Sequence, residues 1–288
     1  MAKQKTIPGL EARYRTADKG FDRNRVLHLC RKSSCHPGDQ GLAHGSGQRA
    51  QPGRTEREVL NIALYHFHVT QIKRSAGQSA IASAAYRSGE KLHSEYYGED
   101  SDYTKKGGVI CSEILLPSYA PSSFSDRETL WNEVEKSERG KKAQLAYSFD
   151  IALQNEFSMQ ENIELARQFL LEQFVSRGMV VDFAVHSPDK EDGGISNPHF
   201  HVMCPIRPLV RPLDEHGRWG NKQRREYLLD EHGERIRDEA GNYVFNAVPT
   251  TDWGSPDTLE HWRQAWADLC NAKFAEKELD LPNRPPQL

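Results

Sequence analysis

Two apolar runs in the second half of the chain, MVVDFAVH (179–186) and HFHVMCPIRP (199–208), flank the polar segment SPDKEDGGISNP. Both runs are rich in β-branched and aromatic residues, and a connection so dense in Asp, Gly, Ser and Pro turns the chain back on itself. The pair is therefore an antiparallel hairpin. Upstream, LYHFHVTQI from Leu64 reads as a first strand ending at the basic turn KRSAGQ, GGVICSEILL as a second and AQLAYSFDIAL as a third. Helical patterns separate them. The first is expected from about Gly77 to Leu92, opened by a Ser75–Gln78 capping box, and the second is DRETLWNEVEKSERGK, capped by Asp126 or Ser125. A longer amphipathic helix, SMQENIELARQFLLEQFVSRG, has Leu165, Phe169 and Gln173 flanking its apolar stripe and ends at Gly178. The last, PDTLEHWRQAWADLCNAKFAEKEL, puts Trp262, Trp266 and Leu269 on one face. The fold class expected is α+β, an antiparallel sheet with helices packed on it.

Composition narrows the class further. With 37% hydrophobic and 27% charged residues among 288, the chain buries a substantial core, and no window approaches the ~18 apolar residues of a membrane span. No apolar leader segment opens it, and its five scattered cysteines read as reduced, cytoplasmic thiols. Residues 1–60 carry 12 Lys/Arg and 6 Asp/Glu, which leaves 26 basic and 35 acidic residues, a net of −9, on the remainder. An acidic body excludes a generic nucleic-acid coat, so any DNA contact has to come from local patches such as KRSAGQSAIASAAYR and NKQRREY.

Four segments follow. Residues 1–61 lack sustained periodicity and read as a disordered extension, 62–208 as a core, 209–279 as a hairpin-rich stretch with the terminal helix of the same domain, and 280–288 as a proline-rich flexible tail. The small repeat LDEHGRW (213–219) and LDEHGERI (229–236) reads as solvated hairpins. Cys30, Cys35 and His36 lie close together but have no second ligand pair, so they are read as coincidence and not as a zinc site.

HFHV occurs twice, at 66–69 and at 199–202. Strand alternation sends the two histidines of each copy to one face, about 7 Å apart along the backbone. Only the second copy has a partner, because His186 ends the preceding strand and antiparallel pairing carries it beside His199. His186, His199 and His201 then form a three-imidazole cluster with the donor set of a metal centre that keeps open coordination positions. His66 and His68 read as a half-exposed strand edge. Three neutral ligands leave a cation its full charge, enough to polarise a phosphoryl oxygen, and such a site still requires a nucleophile. Tyr86 is the candidate, on a helix whose alanines and serines leave room for DNA to approach; a tyrosine packed on the sheet is the structural alternative. Asp150, alone among uncharged neighbours in YSFDIAL, either orients a ligand imidazole or lies on the solvent face.

These residues carry a resemblance. YHFHVTQIKRSAGQSAIASAAYRSGEKL, FDIAL, VHSPDKEDGGISNPHFHVMCPIRPL and VPTTDWGSPDTLEHWRQAWADLCNAKF together resemble the MobA/MobL relaxases of mobilisable plasmids, members of the HUH endonuclease group, from about Ile62 to Lys277. The resemblance implies a relaxase-like (HUH) fold with the histidine hairpin central, and the nicking of one strand at a plasmid transfer origin. It implies that Tyr86 attacks a phosphodiester and stays joined to the 5′ phosphate, and that His186, His199 and His201 hold Mg²⁺ or Mn²⁺, although imidazoles by themselves favour Zn²⁺. Asp150 falls where the family often has an acidic residue. Lys73, Arg74 and Arg87 flank the tyrosine as candidate phosphate contacts, while Lys222, Arg224 and Arg225 either grip an origin hairpin or form a solvated charge run. The implied partners are single-stranded origin DNA, accessory mobilisation proteins and a type IV secretion coupling protein, with no membrane insertion. Against the family pattern, residues 1–61 look like an upstream extension and LDLPNRPPQL replaces the usual continuation. A truncated, origin-binding but non-cleaving fragment is therefore the alternative, and a zinc hydrolase using water is a third reading.

Overall fold

Period-two alternation sets the frame. In the computed structural model, which describes residues 65–187, 197–210 and 218–279, five strands form one sheet: β1 (Phe67–Lys73), β4 (Val109–Leu115), β5 (Gln144–Ala152), β6 (Val181–His186) and β7 (His199–Pro205). Their order is β1-β5-β7-β6-β4 and every neighbouring pair is antiparallel. The histidine hairpin β6–β7 is thus central, with His186 directly opposite His199. The readings made for residues 1–61, including Cys30, Cys35 and His36, for the tail at 280–288 and for most of the first LDEHG copy lie outside the described residues.

Alternation gives the sheet two faces. Phe149, Ile151, Phe200, Val202, Phe183 and Val185 share one core cluster with α3 (Met159–Gln173) and α4 (Pro256–Glu276). There Trp262 stacks on Phe174 at 4.3 Å between centroids, and Trp266 meets Phe169 and Phe200 edge-on. The opposite face carries His199, His201 and Met203, and it is covered by α1 (Ala80–Ser88) and α2 (Arg127–Ser137). The histidines therefore lie on the sheet face that α1 packs against.

Local chemistry sets the helix ends. Ser158 and Glu161 form a reciprocal capping box on α3, and Ser255 accepts from the Thr258 amide at the start of α4. Of the two caps expected for α2, Asp126 is the one used, accepting from the Thr129 amide. The expected opening of α1 is corrected. Arg74–Ala76 form a 3-10 turn closed by Gly77 at φ 70°, so the cap is Ser79, accepting from the Ala82 amide, and Gln78 instead accepts from the Lys73 amide. The far end is corrected as well: α1 stops at Gly89, φ 71°, and the chain turns into a hairpin of β2 (Lys91–Ser94) and β3 (Glu99–Asp102). The amphipathic helix α3 likewise ends at Gln173, and a 3-10 turn, Val175–Arg177, leads to Gly178.

Beyond the sheet, β8 (Leu209–Val210) pairs with β9 (Arg218–Trp219), and β10 (Gln223–Tyr227) with β11 (Phe245–Pro249). The turns at Asp230–Gly233 and Asp238–Gly241 are exposed, as the D-E-x-G pattern predicts. Among the described residues no helix is long and apolar enough to cross a membrane.

Candidate active site

Central placement in the sheet gathers three imidazoles. One nitrogen of each of His186, His199 and His201 lies within 4.8 Å of the others, and His199 Nε2 is 3.2 Å from His201 Nε2. The remaining nitrogens are committed. His186 Nε2 donates to the Arg87 carbonyl at 2.6 Å, His199 Nδ1 to the Asn197 carbonyl at 2.9 Å, and His201 Nδ1 to the Asp150 carboxylate. Since those oxygens only accept, each ring spends its proton outward and leaves the other nitrogen as a lone-pair donor. These are His186 Nδ1, His199 Nε2 and His201 Nε2. Two lone pairs facing each other at 3.2 Å repel unless a proton or cation sits between them. With bonds of about 2.1 Å, ligand nitrogens on a metal are separated by about 3.0 Å at right angles and about 3.4 Å at the tetrahedral angle. The His199–His201 spacing therefore suits two ligands of one divalent ion, and the three-histidine cluster could hold such an ion.

Electrostatics keeps His186 and His201 neutral. Burial above all, then the neighbouring His201 and the Lys106 cation, push His186 down to about 2, and burial also lowers His201 against the pull of Asp150. Asp150 lies on β5 directly between two histidine positions, opposite His201 on β7 and opposite His68 on β1. Burial would raise its carboxyl, but hydrogen bonds to His201 and His68 outweigh it and hold the group well below the usual carboxylate range. The carboxylate accepts from His201 Nδ1 and so orients that imidazole.

The first HFHV copy does lie on an edge strand. His68 is half-exposed there, with Nδ1 3.9 Å from Asp150 Oδ2. Sequence patterning missed that contact, because the β1–β5 register brings His68 to Asp150 from 82 positions away.

Tyr86 stands on the last turn of α1, on the histidine face of the sheet. Two anchors fix this helix. At its N-terminus the Glu135 carboxylate of α2 accepts from Ser79 Oγ at 2.9 Å and from the Ala80 amide at 2.7 Å. At its C-terminus Arg87 gives its carbonyl to His186 and its guanidinium to Ser148 Oγ on β5, 2.8 Å away, and to Met203 Sδ on β7. The small residues of α1 have a different use from the one expected. Ala80, Ser83, Ala84 and Ala85 are buried, so they bring the helix close to the sheet and do not themselves clear a path for DNA.

The structure divides the basic residues. Arg74 is only 8% exposed, and its guanidinium caps the C-terminal end of α2 through the carbonyls of Glu135, Glu138 and Gly140. Arg87 points inward to β5 and β7, and Lys222 Nζ sits 2.8 Å from Glu138 and 2.5 Å from the Gln144 carbonyl. Arg74 and Arg87 are candidate phosphate contacts by sequence and Lys222 either an origin grip or part of a solvated charge run, and all three are held by protein partners. Lys73, Arg224 and Arg225 remain exposed, Arg225 lying over the Phe245 ring at 4.7 Å.

A family model described as the MobA/MobL family matches residues 78–282, a span holding Tyr86, Asp150 and the three histidines. A probable mobilization protein MobA of Bifidobacterium longum is 31% identical over 229 residues, 75% of this chain and 39% of that protein. A conjugal transfer protein TraA of Rhizobium radiobacter is 34% identical over 231 residues, 76% of this chain and 19% of that protein, so the chain spans well under half of either relative. A solved structure from work on the molecular basis of vancomycin resistance transfer in Staphylococcus aureus superimposes with a TM-score of 0.58 at 30% identity, covering 78% of this chain and 100% of the other.

Proposed function

The chain belongs to the MobA/MobL family of mobilisation and conjugal transfer relaxases, and from that membership we propose that it nicks one DNA strand at a plasmid transfer origin through Tyr86. In the proposed step the Tyr86 Oη bonds to the scissile phosphorus as the bond from phosphorus to the 3′ oxygen breaks. The phenol gives up one proton and the departing oxygen takes one, ending as a 3′-hydroxyl, while the 5′ phosphate stays on the protein as a tyrosyl ester. That ester conserves the bond energy, so reversal rejoins the strand without ATP. The substrate is single-stranded, because in-line attack needs a phosphate that an intact duplex would obstruct.

His186, His199 and His201 would hold Mg²⁺ or Mn²⁺, with Zn²⁺ the ion that imidazoles alone favour. When bound, such an ion supplies Lewis-acid polarisation of a phosphoryl oxygen. Asp150 keeps His201 in the tautomer that offers Nε2, and the Arg87 carbonyl does the same for His186 Nδ1. Lys73, Arg224 and Arg225 are the candidate phosphate contacts. Transfer of the led strand calls on accessory mobilisation proteins and a type IV secretion coupling protein.

The observation that carries this reading is the hydrogen bond between His186 and the Arg87 carbonyl, which joins the residue after Tyr86 to the histidine cluster. The test uses 3′-labelled single-stranded oligonucleotides tiled through the DNA flanking the chain's own gene, incubated with the protein and Mn²⁺. A covalent protein–DNA adduct formed by the wild type and lost in Tyr86→Phe is expected. Binding without an adduct supports the non-cleaving alternative, and turnover that survives Tyr86→Phe supports a water-using hydrolase.

A further inference from the structure

The loop between β3 and β4 brings a cation onto the candidate nucleophile. Lys106 Nζ lies 3.5 Å from the centroid of the Tyr86 ring and donates to the Tyr86 backbone carbonyl at 3.2 Å. The same ring meets Tyr103 edge-on, with centroids 5.3 Å apart and planes at 89°. An aromatic edge and an ammonium thus hold the phenol from two directions, while the carbonyl contact fixes the backbone beneath it.

The loop is itself pinned at both ends. The Tyr103 amide donates to the Glu90 carbonyl just past α1 at 3.1 Å, and the Lys106 amide closes a turn onto the Tyr103 carbonyl at 2.9 Å. On the other side the amide of Ser187, the residue after His186, donates to the Gly108 carbonyl at 2.8 Å. Main-chain bonds therefore tie the loop carrying Lys106 to the residues just past α1 and just past β6. A long, flexible side chain gains little from solvent-side decoration, but here its head group covers one ring face and one carbonyl at once.

Chemistry gives that placement a consequence. As a phenol attacks phosphorus it gives up its proton, and the negative charge that develops spreads into the ring. An ammonium over the ring face attracts that charged form more strongly than the neutral phenol, so the contact strengthens along the reaction. Resting on the reading of Tyr86 as nucleophile, we propose that Lys106 is a positioning residue that holds the Tyr86 ring for attack, and not an anchor for the DNA backbone.

The experiment measures, with the full chain, the single-turnover rate of adduct formation at saturating oligonucleotide and, separately, the dissociation constant of that oligonucleotide. The probe is the tiled single-stranded oligonucleotide that gives an adduct with the wild type. Lys106→Met, which keeps the length and removes the charge, should lower the rate about tenfold with the dissociation constant changed less than about threefold. Lys106→Arg, which restores a cation over the ring, should return most of the rate. An unchanged rate in Lys106→Met overturns the proposal, as does a weakened dissociation constant with the saturated rate intact, which would make Lys106 a phosphate anchor. Failure of Arg to rescue a correctly folded Met variant, checked by thermal unfolding, also overturns it. Adduct formation by Tyr86→Phe would instead sink the nucleophile assignment on which the proposal stands.

Discussion

His186 Nε2 donates to the carbonyl oxygen of Arg87, 2.6 Å away, so one hydrogen bond joins the ligand-bearing hairpin to the last turn of the tyrosine helix. The bond has two effects: it fixes the tautomer that leaves His186 Nδ1 free for a cation, and it docks the end of α1 on the sheet. His186→Ala removes a ligand nitrogen and this docking contact together. Calorimetric titration with Mn²⁺ should give an affinity at least about tenfold weaker than wild type. His66→Ala, in the other HFHV copy, should stay within about threefold, since His66 is not among the three clustered ligands. Equal losses in the two variants would remove the distinction between the copies.

The ion-free protein should be sensitive to mild acid, and the sign follows from the buried rings. His186 is held near about 2 and His201 is also lowered, both by burial first, whereas in the unfolded chain both take up protons near 6.5. Below that value the unfolded state binds more protons than the folded one. Stability is therefore full above about pH 6.5 and falls as pH drops, by up to about 1.4 kcal/mol per pH unit for each ring. Asp150 acts lower down. Its depressed folded value means its contribution is present above the ordinary carboxylate range and lost only as pH falls through that lower value. His68 runs the other way, raised by its hydrogen bond to Asp150, so its contribution is present below 6.5 and lost as pH rises; being half-exposed, it is screened. Urea midpoints in EDTA at pH 7.5, 6.0 and 5.0 should fall stepwise for the wild type and less steeply for His186→Asn. Parallel curves for the two proteins would contradict this account.

What the sequence made legible was what short-range periodicity encodes. Alternation in MVVDFAVH and HFHVMCPIRP is enough to pair His186 with His199 and to put His201 on the same face, because one polar loop sets the register. The hairpin Lys91–Ser94 with Glu99–Asp102 was hidden, since KLHSEYYGEDSD is mostly polar and both strands are too short to show a buried face. The α1 cap was misplaced because Ser75–Gln78 also fits the capping pattern. Gly77 in the left-handed region breaks the helix there and hands the role to Ser79. Arg74, Arg87 and Lys222 were read as outward-facing from their charge alone. A long cationic side chain goes where acceptors await it, and here those acceptors are carbonyls, Ser148 and Glu138, placed by remote parts of the chain.

Arg74 and Arg224 provide the sharpest test of that division, because both are arginines of the basic segments and only one faces solvent. The Arg74 guanidinium donates to three backbone carbonyls at the end of α2 and covers the Tyr96 ring at 3.9 Å. Replacing it takes a charged donor from all three carbonyls, the buried Glu138 carbonyl among them, and empties the space beneath Tyr96, so Arg74→Ala should destabilise folding by about 2–3 kcal/mol. Its charge already faces protein oxygens, so the salt dependence of single-stranded DNA binding should not change. Arg224→Ala should do the reverse. That side chain is exposed on β10, and its loss should move the urea midpoint little, within about 0.5 kcal/mol. If it contacts a phosphate, the slope of log affinity against log salt should become shallower by about 0.7. Urea denaturation and oligonucleotide binding from low to moderate salt, run on both variants, separate the two roles. A stable Arg74→Ala with a shallower salt slope would return Arg74 to the DNA surface and overturn its assignment as a helix cap.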